Sequence, residues 1–489
     1  MTSYDYDIAV IGGGAAGLTV AAGSSRIGAK TLIIEKAPEL GGDCLHFGCV
    51  PSKTLIEIAK VRHFMANASM YGLPGVELAQ VDFSKVRDRI KQVIDTIQRH
   101  DSVERFCRLG ARVEFGNPEF VDDHSVKLDG RHISARIWVI ATGSSPGVPP
   151  FKGIEKVGYW TNKDIFFLDR LPSSMIVLGA GPIAIEMAQA FNRLGTKTTV
   201  VQRSGQILSK EDKDMADMVQ ESLEAEGVLF HLNSTVESVY EDSQGRKKVR
   251  IKKKGALDQM EIGAKALLVA MGRQPNVDTL SLGKAGVEFT PKGILVDHRM
   301  RTSTKHIYAA GDVTGRYLFT HAAGYEAGIV VTNAIFHVPK KADYRFMPWC
   351  TYSQPELASI GVNEKRAKEM GIDYSLWQEP FSENDRAIAS FSPVGKVKLI
   401  LGKNGKPIGC QIVGPNAGEI MGHWVAAFAS RTSIATVASA VHPYPTVSEI
   451  NKKIAGRIMA QKIFSKPVKK GLQFFFGLKG RACMPEQEA

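Results

Sequence analysis

Apolar runs of strand length recur along the chain, and most end in a glycine-rich or small-residue turn. Asp7-Ile8-Ala9-Val10-Ile11 leads into Gly12-Gly13-Gly14-Ala15-Ala16-Gly17. Small residues then predict a helix to about Arg26, and Thr31-Leu32-Ile33-Ile34-Glu35 predicts a second strand that ends in an acid. The pattern returns at Met175-Ile176-Val177-Leu178, followed by Gly179-Ala180-Gly181-Pro182-Ile183-Ala184, a helix through Phe191, and the strand Thr198-Thr199-Val200-Val201. Two further runs, Ile137 to Gly143 and Ile307 to Asp312, end in a small-residue turn and in an acid. In open α/β sheets, ligands bind at such carboxyl ends of strands.

Strand, G-x-G-x-x-G, helix, strand and acid together make the fingerprint of a dinucleotide-binding fold. Gly12 suits the tight turn, Gly14 lets the backbone approach a pyrophosphate, and Gly17 lets helix and strand pack closely. The helix N-terminus offers its positive end to phosphates. Glu35 stands where a carboxylate accepts hydrogen bonds from a ribose, with Lys36 beside it. The second copy has Gly179, Gly181 and Ala184 at the matching places, but Gln202 and Arg203 follow its second strand in place of an acid. A carboxylate there favours NAD and an arginine accommodates a 2′-phosphate, so the reading is NADPH, with NADH as the lesser possibility. Asp312 is a candidate for a ribityl hydroxyl, and Ala141, Thr142, Gly143 and Gly272 are further cofactor candidates.

Composition adds bounds. At 489 residues the chain has room for roughly three domains. Apolar content of 44% and charge of 23% describe an ordinary globular protein. Six cysteines are too few for a secreted disulfide scaffold. No signal peptide precedes the first strand and no run of about 18 apolar residues suggests a membrane span, so the expected location is the cytoplasm. The net charge is +12, and residues 450–489 carry nine Lys or Arg against two acids, so the rest is only mildly basic. Nothing there suggests nucleic acid as a partner.

The most reactive stretch is Gly41-Gly42-Asp43-Cys44-Leu45-His46-Phe47-Gly48-Cys49-Val50-Pro51-Ser52-Lys53. Cys44 and Cys49 are spaced to close a small disulfide loop. A buried pair or half of a metal site would also fit that spacing. If a helix starts near Pro51, Lys53 lies one turn beyond Cys49 on the same face. A cation there favours the thiolate, the reactive form.

Taken together, these motifs resemble the class I pyridine nucleotide-disulfide oxidoreductases over about residues 5–465, most of all mercuric reductases, and also dihydrolipoamide dehydrogenase. Ala270-Met271-Gly272-Arg273-Gln274-Pro275-Asn276, Ala310-Gly311-Asp312 and Tyr352-Ser353-Gln354-Pro355-Glu356 fall in the family's order. The resemblance implies an α/β fold: two Rossmann-like dinucleotide-binding domains and a C-terminal α+β dimerisation domain. The expected division is 1–150 and 276–343 for FAD, 151–275 for NAD(P)H, 344–465 for dimerisation, and a basic tail over 466–489. It also implies a homodimer in which electrons pass from NADPH through FAD to a Cys44–Cys49 disulfide. Gly42 and Asp43 fall in the flavin region. Cys49 would face the flavin, Cys44 would meet the acceptor, and Lys53 and Glu186 would pair near the reactive flavin nitrogen.

One departure matters. Where the disulfide reductases carry His-Pro-Thr-x-x-Glu to supply a base to the partner subunit, this chain reads His442-Pro443-Tyr444-Pro445-Thr446-Val447-Ser448-Glu449. Aligned on Thr446 and Glu449, the base position holds Tyr444, and His442 stands two residues early. Histidine titrates near neutrality, whereas tyrosine titrates near pKa ~10 and is a poor base at pH 7. A dithiol must be deprotonated to be oxidised, whereas a soft metal ion held by thiolates need not be. Mercuric reductases resemble the chain in carrying a tyrosine here. They also carry two adjacent C-terminal cysteines, where this chain has Cys483 alone, and an N-terminal metal-carrier domain of a kind not found here. The remaining readings are a dihydrolipoyl dehydrogenase using His442, a membrane-associated NAD(P)H:quinone reductase, and a flavoprotein kept as an interaction subunit. Lysines interleaved with Phe and Leu over 462–479 suit an anionic membrane surface. Pro467 and Gly471 argue against a single helix there.

Overall fold

The computed structural model describes residues 4–480. It divides into two compact units, Met1–Tyr344 with Thr351–Ser353, and a second holding most of the chain from Arg345 on.

The first unit contains both parallel sheets expected from the apolar runs. In the larger one, Ala111–Phe115, Thr31–Glu35, Tyr6–Ile11 and Arg131–Ile140 lie side by side, and Ile307–Ala309 also pairs parallel to Arg131–Ile140. Val10 is level with Ile33 on one side and Val139 on the other. All of these central side chains are buried, which is why the runs are continuously apolar rather than alternating. The smaller sheet runs Leu229–His231, Lys197–Val201, Ser174–Leu178, Ala266–Val269, all parallel. A three-stranded antiparallel sheet, Ser234–Glu241, Lys247–Lys253 and Gln259–Ala264, completes this part.

Each glycine-rich turn joins the central strand of its sheet to a helix, Ala15–Arg26 in the first and Pro182–Leu194 in the second. Glycine is required at two places in the first turn. Gly12 has φ +113°, and a Cβ there would come within 2.3 Å of the Ala141 carbonyl oxygen. A Cβ on Gly17 would lie 1.8 Å from the Gly12 oxygen, so the helix can pass this close only without a side chain.

In the second unit a five-stranded sheet has the order Pro348–Thr351, Glu356–Gly361, Pro407–Gly414, Lys396–Gly402, Tyr374–Pro380. Helices Ala417–Ala429 and Glu449–Ile463 share its core, with Trp424, Ile450, Ile454, Leu399 and Ile412 fully buried. The Trp424 indole N–H donates to Asn451 at 2.8 Å, which satisfies the one polar group that burial of this ring would strand. Glu379, also fully buried, is neutralised by Lys453 at 2.9 Å and Arg457 at 2.8 Å.

The basic segment is broken before Pro467, as expected, but not at Gly471: the helix Glu449–Ile463 ends, Ser465 is extended, and a second helix begins. Lys466–Phe476 is one continuous helix. Pro467 sits in its first turn, where a missing N–H costs no hydrogen bond. Gly471 lies inside the helix and lowers its propensity by about 1 kcal/mol without ending it. Cys483 lies outside the described residues.

Candidate active site

The cysteine box folds as two helices in succession. Gly42–His46 carries Cys44, and Cys49–Ala66 begins at the second cysteine itself. Cys49 therefore stands where free backbone N–H groups and the positive end of an 18-residue helix favour a negative sulfur. Both cysteines are free thiols. The Cys49 thiol is held down to about 6. The largest cause is a hydrogen bond from the Cys44 thiol, and burial pulls the other way. The Thr320 hydroxyl, 3.5 Å from Cys49 Sγ, and the Lys53 charge lower it further. The Cys44 thiol is pushed strongly upward by the same hydrogen bond and by burial. The reduced pair thus divides its labour: Cys49 is the thiolate at neutral pH and Cys44 keeps the proton.

Lys53, one turn along from Cys49, donates to Glu186 Oε2 at 2.8 Å. Glu186 comes from the second glycine turn's helix and is buried. Its other oxygen accepts the Tyr352 backbone N–H at 2.9 Å. The Lys53 ammonium also lies 4.4 Å from the centre of the Tyr352 ring. Three elements distant in sequence therefore fix one ammonium group beside the thiolate helix.

The first glycine turn is shaped as a cradle. Glu35 is buried, and its carboxylate accepts the Gly13 N–H at 2.6 Å and the Ala37 N–H at 2.8 Å, which fixes it at the strand end. Lys36 beside it is exposed. A Cβ on Gly14 would meet nothing nearer than the Gly42 Cα at 3.8 Å, whereas one on Gly42 would come within 2.8 Å of Gly14. The turn Ala141-Thr142-Gly143 is stapled to Asn276 by three hydrogen bonds of 2.8 to 3.0 Å.

Asp312 accepts from the Ser144 hydroxyl at 2.5 Å and lies 3.6 Å from Arg273, which also reaches Asp43 at 2.9 Å. Burial nonetheless pushes the Asp312 carboxyl up. Asn162 holds the loop between the cysteines by donating to the Phe47 carbonyl at 2.9 Å.

In the second turn Gly179 has φ +104°, and a Cβ would lie 2.4 Å from the Ala270 oxygen. Gly181 faces open space, Gly272 has φ +123°, and Ala184 is fully buried. Arg203 is exposed and makes no hydrogen bond or ion pair among the described residues.

Along the cysteine helix runs an open groove of about 520 Å³, lined by Cys49, Lys53, Glu57, Arg89, Val93 and Ile97.

The C-terminal candidates are arranged differently. Tyr444 is 70% exposed, and its hydroxyl donates to Asp385 at 2.8 Å. That bond and the Asp385 charge push the phenol up, further from use as a base. His442 stacks on His423 with ring centres 5.3 Å apart. Glu449 opens the helix Glu449–Ile463, where an acid suits the positive end.

Sequence reasoning passed over Thr320 and Asn162, and quoted Tyr352 and Arg273 only as parts of motifs. Thr320 carried a usable signal: it starts a helix, Thr320–Ala334, soon after the Ala310-Gly311-Asp312 turn. Asn162 carried none, and the role of Tyr352 rests on contacts made only on folding.

Residues 6–327 match the family model described as pyridine nucleotide-disulphide oxidoreductase, and residues 347–455 match that family's dimerisation domain. The chain is similar to a mercuric reductase of Staphylococcus aureus, 32% identical over 95% of this chain and 84% of that protein. A dihydrolipoyl dehydrogenase of Bacillus subtilis (strain 168) is 33% identical over 90% of this chain and 96% of its own. Among solved structures, the HOCl-induced flavoprotein disulfide reductase RclA from Escherichia coli superposes with TM-score 0.82 at 26% identity, covering 92% of this chain and 99% of that one. A Cu(II) complex of the same protein gives TM-score 0.81 at 25% identity over 92% and 99%.

Proposed function

The chain belongs to the pyridine nucleotide-disulphide oxidoreductases, and from that premise we propose that its acceptor is a thiophilic metal ion reduced at the Cys44–Cys49 pair with electrons from NADPH. The family makes it an FAD-dependent oxidoreductase that uses a pyridine nucleotide, and the dimerisation domain supports a homodimer.

FAD fits the first glycine turn. Gly12, Gly14 and Gly17 would admit its pyrophosphate, Glu35 with Lys36 its ribose, and Gly42, Asp43, Asp312 and the Ala141–Gly143 turn the rest. Bound there, FAD supplies two-electron chemistry between the pyridine nucleotide and the dithiol. Gly179, Gly181, Ala184 and Gly272 would hold the nicotinamide dinucleotide, and the free Arg203 would meet a 2′-phosphate.

This chain's own residues then set the chemistry. Cys49 is negative at pH 7 because Cys44 and Thr320 donate toward it and Lys53 lies nearby. Glu186 holds Lys53 in place. Binding of a metal ion such as Hg(II) displaces the Cys44 proton to solvent, and the pair then offers two soft thiolate ligands. Two electrons from NADPH convert Hg(II) to Hg(0), NADPH becomes NADP⁺ with release of one proton, and both thiolates are freed. No proton has to be taken from the substrate. Dihydrolipoamide, by contrast, gives up two protons as it closes its disulfide, and so needs a base.

The observation that carries the reading is Tyr444, a phenol bound to Asp385 at the position where the disulfide reductases place a histidine. The relatives named mercuric reductase and the Cu(II) complex of RclA support a metal acceptor, although Cys483 stands alone where mercuric reductases carry two adjacent cysteines. The second reading is dihydrolipoyl dehydrogenase with His442 as base, which the relatives of that name favour. No observation favours a quinone as acceptor. Among the described residues no helix is long and apolar enough to cross a membrane.

A steady-state panel of Hg(II), Cu(II), lipoamide and glutathione disulfide, each with NADPH and with NADH, tests the proposal. Lipoamide as the preferred acceptor would sink it. The nucleotide preference is tested separately with Arg203→Glu, which is expected to raise the KM for NADPH about tenfold and leave that for NADH unchanged. Equal effects on both would remove Arg203 from the 2′-phosphate site.

A further inference from the structure

The helix Lys466–Phe476 buries none of its residues, although seven of its eleven positions carry no polar side chain. Its order on the helix is more telling than its composition. At about 100° per residue, Lys466, Lys469, Lys470 and Gln473 fall within one arc of about 100°. Pro467, Val468, Gly471, Leu472, Phe474, Phe475 and Phe476 fill the opposite side, and no polar side chain interrupts them. Phe474, Phe475 and Phe476 are 84%, 78% and 73% exposed. Three adjacent phenylalanines open to water are costly unless something covers them.

Charge says what the cover is. Between Ile450 and Gly480 the chain has eight basic residues and no acidic one. A face of bulky aromatic residues flanked by lysines on both edges matches a surface that is oily within and anionic at its rim. Lysine stems can lie along such a surface while their ammonium groups reach the phosphates. The helix is too short to cross a bilayer, which needs about 20 residues, but long enough to lie in its headgroup region.

We propose that this helix docks the flavoenzyme flat on an anionic lipid surface, with Phe475 at the centre of the inserted face and Lys466, Lys469 and Lys470 on the phosphates. The proposal concerns attachment only and is independent of the electron acceptor. A protein groove usually engages a narrow stripe at i, i+3, i+4 and i+7, whereas this apolar arc covers more than half of the helix.

The test uses the full-length flavoprotein with vesicles of phosphatidylcholine, with and without phosphatidylglycerol, in sedimentation at low and high salt. The expected result is binding to the anionic vesicles alone, weakening as salt rises. Phe475→Asp and the triple change Lys466→Glu, Lys469→Glu, Lys470→Glu should each cut binding at least about tenfold, with flavin reduction by NADPH unchanged. Failure of the wild type to bind anionic vesicles, equal binding to neutral ones, or undiminished binding by both variants would overturn the proposal. If the wild type does not bind and Phe475→Asp lowers the particle mass in light scattering, a second copy covers this face and the proposal is equally overturned.

Discussion

The cysteine box and the segment His442–Glu449, the two stretches proposed above for redox and proton chemistry, are built to different standards. Around Cys49, a helix start, a neighbouring thiol, the Thr320 hydroxyl and the Lys53 charge act on one sulfur. Lys53 is held in turn by the buried Glu186, and Glu186 by the Tyr352 N–H. In the other segment, Tyr444 is open to solvent and spends its proton on Asp385, and His442 rests on another histidine. The contrast is instructive because the two are usually a matched pair in a dithiol-oxidising enzyme. On the proposed reading, the nucleophile is prepared and the base is not. A site of that kind suits a substrate that binds thiolates and brings no proton to remove.

The comparison can be broken most decisively at the thiolate. Cys49→Ser is expected to lower NADPH-driven Hg(II) reduction by about a thousandfold or more, because it removes the sulfur whose pKa is held down to about 6. Retained activity would mean that electrons leave without the dithiol. The next largest effect is expected from repairing the base. Tyr444→His should raise dihydrolipoamide oxidation by about ten- to a hundredfold, the scale of a positioned general base, and leave Hg(II) reduction within about twofold. An unchanged dihydrolipoamide rate would show that the missing histidine is not what limits this chemistry.

A smaller shift sharpens the electrostatic side. In the reduced enzyme, alkylation of Cys49 by iodoacetamide should rise with pH through a midpoint near about 6. Lys53→Met removes a positive charge that favours the thiolate, so the midpoint should move up by about one unit. A midpoint that stays in place would assign the low value to the Cys44 hydrogen bond alone. Cys44→Ser tests that hydrogen bond, because a serine hydroxyl can still donate: the midpoint should stay below that of an ordinary thiol.

Much of this was legible in the sequence because it is local. Gly12 and Gly17 are demanded by clashes within one turn, and Cys49, Pro51 and Lys53 are placed by one helix start. The parallel sheets could be read from continuously apolar runs, since both faces are covered. What could not be read depends on contacts between distant segments. Thr320 reaches Cys49 across 271 positions, and Glu186 meets Tyr352 across 166. The bond from Tyr444 to Asp385 is of the same kind and gives the substitution at the base position its structural meaning. The basic segment was read correctly at Pro467, where one helix has ended at Ile463 and another begins, and misread at Gly471. Glycine inside a helix lowers its propensity without ending it.

The central claim is that the prepared thiolate lacks a matched base. It is tested most directly by kcat/KM for Hg(II) with NADPH set against that for dihydrolipoamide with NADP⁺ or NAD⁺, in the wild type and in His442→Ala. The account predicts efficient Hg(II) reduction, weak dihydrolipoamide oxidation, and no loss of either when His442 is removed. Efficient dihydrolipoamide oxidation that collapses in His442→Ala would contradict it.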